Sequence, residues 1–189
     1  MTAKLLKKGA TYADLYDVPD RFVAELFDGD LYASPRPAAP HSRAASVLGA
    51  KLLGAFDIRD DGLGEWLFLD EPELHFGKDV VVPDLAGWRR ERMPETPDAA
   101  YITLAPDWIC EVLSPSTETL DRGSKLRVYA REGIAHAWLA DPLRETLEVL
   151  VLGSGTWSLL SSHAGRVRVR AVPFDAIELD LGALWRSPR

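Results

Sequence analysis

The sequence predicts an α+β fold in which a mixed central β-sheet is flanked by helices, with an N-terminal β-hairpin and a C-terminal β-meander. Three observations indicate this class. Asp28-Gly29 separates two β-prone runs, which is typical of a hairpin. A helix-spaced apolar pattern precedes several short strands, and a strand–helix–strand unit over 107–140 predicts one parallel, right-handed crossover. The length of 189 residues suits a single domain over 1–189.

The first third of the chain predicts a short helix, the hairpin and a long helix. Thr11 and Asp14 have the spacing of a helix cap, and they predict a short first helix. The hairpin strands follow over 22–27 and 30–33. Apolar residues at helical spacing from 41 to about 56 predict a helix whose apolar stripe covers the sheet.

The middle of the chain predicts three short strands, a buried strand and a second helix. The short β-prone runs, broken by Gly or Pro, lie over 65–69, 73–76 and 80–86. The run over 108–113 is typical of a buried strand, and the helix over 118–132 ends at Gly133, a usual C-terminal residue.

The last third of the chain predicts a strand over 134–140, a meander over 146–152, 156–161 and 166–172, and a terminal helix from Phe174 to Leu184.

Composition excludes several classes of protein. The formal net charge of −7 argues against a protein that coats nucleic acid through a broadly basic surface, although it allows one local contact patch. A single Cys excludes a disulfide framework and a Cys-rich zinc module. No apolar run is long enough for a membrane span or a signal peptide. We therefore expect a cytoplasmic protein with no membrane partner.

Two acidic residues interrupt apolar strand faces. Because strand side chains alternate, Val80, Val82, Asp84 and Ala86 are expected to share one face, and Ile109, Glu111 and Leu113 another. Buried carboxylates are costly unless they are paired or bound to a metal, and two on neighbouring strands could hold Mg²⁺ through oxygen ligands. The alternative is that each acid is solvated at a strand end or pairs with an Arg.

Five blocks of the sequence, taken together and in order, resemble a known family. They are Glu25-Leu-Phe-Asp-Gly-Asp-Leu31, Pro40-His41, Val82-Pro-Asp-Leu85, Glu111-Val-Leu-Ser-Pro-Ser-Thr117, and Asp121-Arg-Gly-Ser-Lys125 continuing to Asp141-Pro142. The chain resembles the Uma-type restriction endonuclease family of the PD-(D/E)XK nuclease superfamily over residues 11–186. The resemblance implies a restriction-endonuclease-like core and a nuclease function.

The resemblance also implies catalytic and metal-binding residues. Asp84 and Glu111 match the two acidic half-motifs and are the expected ligands of Mg²⁺, with Mn²⁺ as a substitute, while Glu25 is a candidate third carboxylate. The superfamily lysine is expected two residues after the second acid, where this chain has Leu113. The resemblance therefore assigns the catalytic lysine to Lys125 on the following helix. The alternatives are that Lys125 is a solvated partner of Asp121 and that Glu25 is a surface acid.

Three further residues are candidates for the lining of the site. Asp121, Lys125 and Tyr129 lie on one i, i+4 ridge of the predicted helix. His41 begins the first long helix, where an imidazole or a phosphate can meet the helix N-terminus. Its alternative interpretation is an ordinary residue of the N-terminal turn.

The leading functional hypothesis is a Mg²⁺-dependent endonuclease that hydrolyses phosphodiester bonds of DNA, an endodeoxyribonuclease. A nuclease-fold binding or regulatory module without turnover is the alternative, favoured by the acidic charge and by Leu113. A hydrolase of another phosphorylated substrate is a third candidate. The C-terminal strands from Thr146 to Val172 are a candidate homodimer surface.

Overall fold

The computed structural model describes residues 2–59 and 62–185, so the extreme ends of the predicted 1–189 domain, and residue 186 of the 11–186 region, lie outside the described residues. The α-helices are α1 (Ala39–Leu52), α2 (Glu118–Leu120), α3 (Leu126–Arg131) and α4 (Gly182–Trp185). The strands are β1 (Lys4–Lys8), β2 (Phe22–Phe27), β3 (Asp30–Pro35), β4 (Ile58–Arg59), β5 (Gly62–Leu63), β6 (Trp66–Asp70), β7 (Leu74–Phe76), β8 (Asp79–Val81), β9 (Leu85–Arg89), β10 (Trp108–Val112), β11 (His136–Asp141), β12 (Thr146–Gly153), β13 (Thr156–Ala164), β14 (Arg168–Val169) and β15 (Leu179–Asp180). A 3₁₀ helix (Tyr12–Asp17) and two π-helical segments (Leu53–Asp57 and Asp121–Lys125) complete the described elements.

Two sheets form the scaffold. The larger has six strands in the order β13-β12-β11-β10-β9-β6, and the smaller has five in the order β1-β3-β2-β8-β7. Strands β10 and β11 are parallel and the other pairs of the larger sheet are antiparallel. The predicted mixed central sheet and the parallel unit over 107–140 are therefore confirmed.

The central strand β10 divides the core, since its side chains alternate between two faces. Trp108, Cys110 and Val112 pack into a core with α1, α4 and the C-terminal segment. Ile109 and Leu113 pack on the opposite face with residues of α3. The only charged side chain of β10 is Glu111, which is 1% exposed on the α3 face. The alternation therefore places one carboxylate inside an apolar layer.

The predicted single strand over 80–86 is wrong, because the chain forms β8 and β9 with a break at Val82–Asp84. Pro83 has no N–H group to donate to a ladder, so a continuous central strand is unfavourable there. The two strands enter different sheets. Val80 consequently packs with Leu26, whereas Ala86 packs in the core beside α3. Asp84 thus lies in a connection between sheets, and the expected common face of Val80, Val82, Asp84 and Ala86 does not exist.

The C-terminal segment also differs from the prediction. The third meander strand, predicted over 166–172, is reduced to β14, which pairs with β15 instead of β13. The terminal helix predicted from Phe174 to Leu184 is reduced to α4. Phe174 is fully buried, with its ring 5.1 Å from that of Trp108 and 5.5 Å from that of Trp138. Burial of this aromatic ring outweighs the local helical pattern, because aromatic side chains contribute large buried areas.

The predicted hairpin is confirmed, with β2 and β3 joined by Asp28 and Gly29. Both residues have positive φ angles, 54° and 82°, as a two-residue type I′ turn requires. The N–H of Asp28 donates to the carboxylate of Asp79 at 2.6 Å, which attaches the turn to β8. This contact holds the hairpin against the strand that leads to the break at Val82–Asp84.

Gly29→Ala is expected to lower the free energy of unfolding by about 1 kcal/mol, because alanine is strained at this positive φ. Gly54→Ala is the matched control, since Gly54 has no positive φ and no atom lies within 4 Å of an added Cβ. The control should be neutral or slightly stabilising. Urea denaturation measures both variants, and equal stabilities would contradict the role of the turn.

No helix among the described residues is long and apolar enough to cross a membrane.

Candidate active site

Five parts of the chain bring the candidate residues to one pocket. Strand β2 carries Glu25, the β8–β9 connection carries Asp84, and β10 carries Glu111. The first turn of α1 contributes His41, and the continuous 118–131 helix contributes Asp121 and Lys125. The pocket is lined by Val23, Glu25, Ser34, Pro35, Pro37, His41, Glu71, Val82, Asp84, Glu111, Ser114, Ser116, Thr117, Leu120, Asp121 and Lys125.

Asp84 is anchored to the strand that carries the second acid. Its Oδ2 accepts a hydrogen bond of 2.6 Å from the N–H of Val112, the residue after Glu111. Its Oδ1 lies 3.2 Å from Nε2 of His41. The charge and hydrogen bond of Asp84 raise the pKa of His41 above its usual value, against the lowering effect of burial. His41 therefore pairs with the first acidic residue and is not merely part of a helix turn.

Glu111 is held by two donors from the 118–131 helix. Tyr129 donates its hydroxyl to Oε1 at 2.5 Å, and Lys125 donates to Oε2 at 2.8 Å. Tyr129 is fully buried, so it supports the site from beneath and does not line the pocket surface. The carboxylate of Glu111 thus has one fixed orientation.

Lys125 lies among carboxylates. Its Nζ is 2.8 Å from Glu111, 3.3 Å from Glu25 and 3.8 Å from Asp121, and it also donates to the carbonyl of Val82 at 2.8 Å. Burial lowers the pKa of Lys125, but these carboxylates together raise it well above its usual value, so the ammonium stays charged. The side chain is 4% exposed, and the alternative of a solvated lysine is therefore wrong.

The π-helical segment at Asp121–Lys125 keeps the ridge aligned. A step of four residues overshoots an α-helical turn of 3.6 residues but falls short of the wider π turn. A helix that combines both kinds of turn therefore keeps Asp121, Lys125 and Tyr129 close to one line. Such π-bulges occur frequently at functional sites. The sequence predicted the ridge but contained no signal for this segment.

Glu25 is buried, with 5% of its surface exposed, so the alternative of a surface acid is wrong. Its Oε1 accepts a hydrogen bond of 2.9 Å from the N–H of Val82 and lies 3.3 Å from the ammonium of Lys125. The residues of the β8–β9 break therefore contact the site through their backbone as well as through Asp84. Val82 is a member of the site that sequence reasoning missed, because backbone groups have no sequence signature.

Glu71 is a second pocket residue that the sequence analysis did not select. Its N–H donates to the carbonyl of Asp84 at 3.1 Å, and its φ angle of 46° lies in the left-handed region. Such a conformation is costly for a residue other than glycine and is concentrated at functional sites. The signal available in the sequence was the acidic run at Asp70–Glu73, directly after β6.

Acidic groups outnumber cations in this pocket. Five carboxylates line it, from Glu25, Glu71, Asp84, Glu111 and Asp121, beside one lysine and one histidine. Burial raises the pKa of Glu111 well above its usual value and that of Asp121 to about 7, and the neighbouring charge of Asp84 adds to both effects. A bound cation would offset this repulsion, and carboxylate oxygens are the ligands that Mg²⁺ and Mn²⁺ prefer in proteins.

The carboxylates surround a lysine and do not form a ready-made metal site. Within residues 2–59 and 62–185, no three His, Cys, Asp or Glu side chains stand in the arrangement of a preformed metal site. The ammonium of Lys125 lies between three of the carboxylates instead. Leu113, at the expected lysine position, is 2% exposed and packs in the core with Ile109. The cation of this site therefore comes from the helix and not from β10.

Tyr129→Phe is expected to lower the free energy of unfolding by about 1.5–3 kcal/mol, because the buried Glu111 carboxylate loses a charge-assisted donor. Tyr16→Phe removes a hydroxyl from a side chain that is 76% exposed, and this control should change stability by less than about 0.5 kcal/mol. Thermal or urea denaturation compares the two variants. A Tyr129→Phe protein as stable as the control would show that this hydrogen bond contributes nothing.

Comparison with known proteins matches the chain to one family and one fold. A family model described as "Uma2: Putative restriction endonuclease" matches residues 10–182. A crystal structure described as "a putative nuclease belonging to DUF820", from Anabaena variabilis, is 21% identical and has a TM-score of 0.70. The match covers 93% of this chain and 97% of that one, which shows a shared fold. No curated protein matches the chain significantly.

Proposed function

The chain belongs to the Uma2 family of restriction-endonuclease-like proteins, and from this premise we propose that it is a metal-dependent endonuclease that hydrolyses phosphodiester bonds of DNA. The observation that carries the proposal is the convergence of Asp84, Glu111, Glu25 and Lys125. These residues come from separate elements, yet all line one pocket. Glu25, Glu111 and Lys125 are buried and Asp84 is partly buried, and the desolvation of such charges offsets much of what their ion pairs contribute to stability.

Asp84 and Glu111 are the proposed metal ligands, and Glu25 is the third candidate. When bound, Mg²⁺ or Mn²⁺ would lower the pKa of a coordinated water and polarise the scissile phosphate. The chain itself supplies the orientation of the carboxylates. Val112 holds Asp84 through its N–H group, and Tyr129 holds Glu111 through its hydroxyl. These hydrogen bonds restrict the carboxylates before substrate arrives.

Lys125 is proposed to stabilise the negative charge that develops on the phosphate and to orient the attacking hydroxide. Its ammonium is charged and held by three carboxylates and one carbonyl oxygen, so it needs little reorganisation during the reaction. A lysine fixed in this way on the 118–131 helix can replace one at position 113. His41 has the separate role of holding Oδ1 of Asp84.

The second candidate function is a binding or regulatory module that keeps the fold without turnover. The observation that favours it is the pairing of Glu111, since both of its oxygens already accept hydrogen bonds from Tyr129 and Lys125. A carboxylate satisfied within the protein has less capacity left for a metal. In this case Lys125 would act as a permanent substitute for the cation.

Incubation of supercoiled plasmid with the native protein and Mg²⁺ or Mn²⁺ tests the proposal. We expect nicked and linear DNA with either metal and no cleavage after chelation with EDTA. Isothermal calorimetry of the protein with each metal, without DNA, provides an independent measurement. A folded protein with neither metal affinity nor metal-dependent cleavage of DNA would contradict the nuclease and favour the module. Cleavage of other phosphorylated substrates, with DNA intact, would correct the substrate class.

A further inference from the structure

The outer edge of the six-stranded sheet is a long unprotected strand. Strand β13 spans Thr156–Ala164 and, among residues 2–59 and 62–185, pairs with another strand, β12, on one side only. The backbone N–H and C=O groups on its other side point away from the sheet. An edge of this kind is a template for a further strand, and proteins usually block it with charges, proline or a covering segment.

The opposite edge of the same sheet is blocked. On β6, the N–H of Phe68 donates to the carboxylate of Asp57 at 3.0 Å, and the carbonyl of Trp66 accepts from Arg90 at 3.0 Å. Asp57 and Arg90 also form a partly buried ion pair, which helps to hold the cover in place. No further strand can pair with β6 without displacing these side chains.

The smaller sheet also has both edges protected. At β7, the N–H of His75 donates to the carbonyl of Ile102 at 2.9 Å, so a loop occupies this edge. At the other end, β1 carries three lysines within five residues, Lys4, Lys7 and Lys8. Edge lysines are a common means of preventing strand addition, because they repel a second copy of the same strand.

Strand β13 has none of these features. No charged or proline residue occurs from Gly153 to Gly165, although charged residues make up 27% of the chain. Leu159 and Leu160, in the middle of the strand, are each 58% exposed. The pairing with β12 has a register shift at these leucines, and such a bulge increases local twist. It does not replace the apolar surface with charge.

We propose that β13 pairs antiparallel with β13 of a second copy of this chain, so that the larger sheet continues through a symmetric dimer. Leu160 is the middle residue of Thr156–Ala164. A two-fold axis beside Leu160 therefore pairs the full length of β13 with β13 of the second copy. The absence of charge makes the strand compatible with its own copy, since no like charges face each other. The exposed leucines of both copies then cover one another. This inference does not depend on the proposed nuclease function.

Light scattering coupled to size-exclusion chromatography tests the interface directly. The native protein should have twice the mass of one chain, and Leu160→Lys should weaken the dimer about tenfold or more, because two lysines then face each other at the axis. Leu143→Lys is the matched control, since Leu143 is 62% exposed but lies outside the sheet edge, and it should remain dimeric. Circular dichroism checks that both variants are folded.

A charge-pair experiment tests the position of the axis. Leu160→Lys and Leu160→Asp should each dimerise about tenfold or more weakly than the native protein, whereas an equimolar mixture should form a tighter heterodimer, because opposite charges then meet. Hydrogen exchange of the native protein should show protection over 156–164 that is lost on dilution. A native protein that is monomeric at about 100 μM, or a dimer that Leu160→Lys leaves intact, would overturn the proposal. Failure of the mixture to associate would overturn the placement of the axis.

Discussion

Asp84→Asn should reduce metal-dependent cleavage of DNA by about 10²–10³-fold or more, the scale of losing one electrostatic group that acts in the transition state. Asparagine has nearly the same shape, and its carbonyl oxygen can still accept the hydrogen bond from the N–H of Val112. The fold should therefore be kept while one negative charge is lost from the proposed metal site. Calorimetry should show a parallel loss of Mg²⁺ affinity.

The control for this variant is Asp70→Asn. Asp70 is an exposed carboxylate at the end of β6, close enough to Asp84 for the two charges to interact, but it does not line the pocket. Its substitution changes the net charge equally and should leave cleavage within about twofold of the native rate. Equal cleavage by Asp84→Asn and the native protein would show that Asp84 is not a ligand, and the assigned roles would be wrong.

Lys125→Met should abolish cleavage and lower the free energy of unfolding by about 3–5 kcal/mol, because the buried carboxylates of Glu25, Glu111 and Asp121 lose their common counter-ion. Methionine keeps much of the length of the side chain, so the loss of charge is the main change. In a chain of this size, the melting temperature should fall by about 2–4 °C for each kcal/mol. Differential scanning calorimetry provides the stability measurement.

Two further variants test whether the loss of stability comes from the broken ion pairs or from substitution in general. Lys78→Met removes an exposed lysine of the β7–β8 turn and should change stability by less than about 0.5 kcal/mol. The double variant Glu25→Gln with Lys125→Met should recover part of the lost stability, because one of the uncompensated charges is also removed. Strict additivity of the two substitutions would contradict direct coupling between Glu25 and Lys125.

Local sequence patterns predicted the elements whose cause is local. The Asp28-Gly29 pair favours the hairpin because both residues can adopt the positive φ angles that its two-residue turn requires. The alternation in β10 predicted correctly that Glu111 faces away from Cys110. The four-residue spacing of Asp121, Lys125 and Tyr129 predicted their common ridge. Family resemblance added Glu25 and His41, for which the residues alone left ordinary alternatives open.

Other features depend on which distant segments meet. The break at Val82–Asp84 separates two strands that the β-prone pattern joined, and it allows the backbone of Val82 to contact Glu25 and Lys125. The position of Glu71 beside Asp84 follows from the pairing of β6 with β9. The burial of Phe174 replaced a predicted helix with an irregular segment.

Local patterns predicted the α+β class, the hairpin and the parallel unit, and together with the family resemblance they predicted the candidate acids and lysine. The folded arrangement alone reveals that Lys125 bridges three carboxylates, that Tyr129 holds Glu111 from beneath, and that β13 is an open edge in the described part of the chain. The physical reason is the range of the interactions. Backbone conformation and alternation depend on neighbouring residues, whereas ion pairs, burial and sheet edges depend on strand order, which brings together residues far apart in the chain.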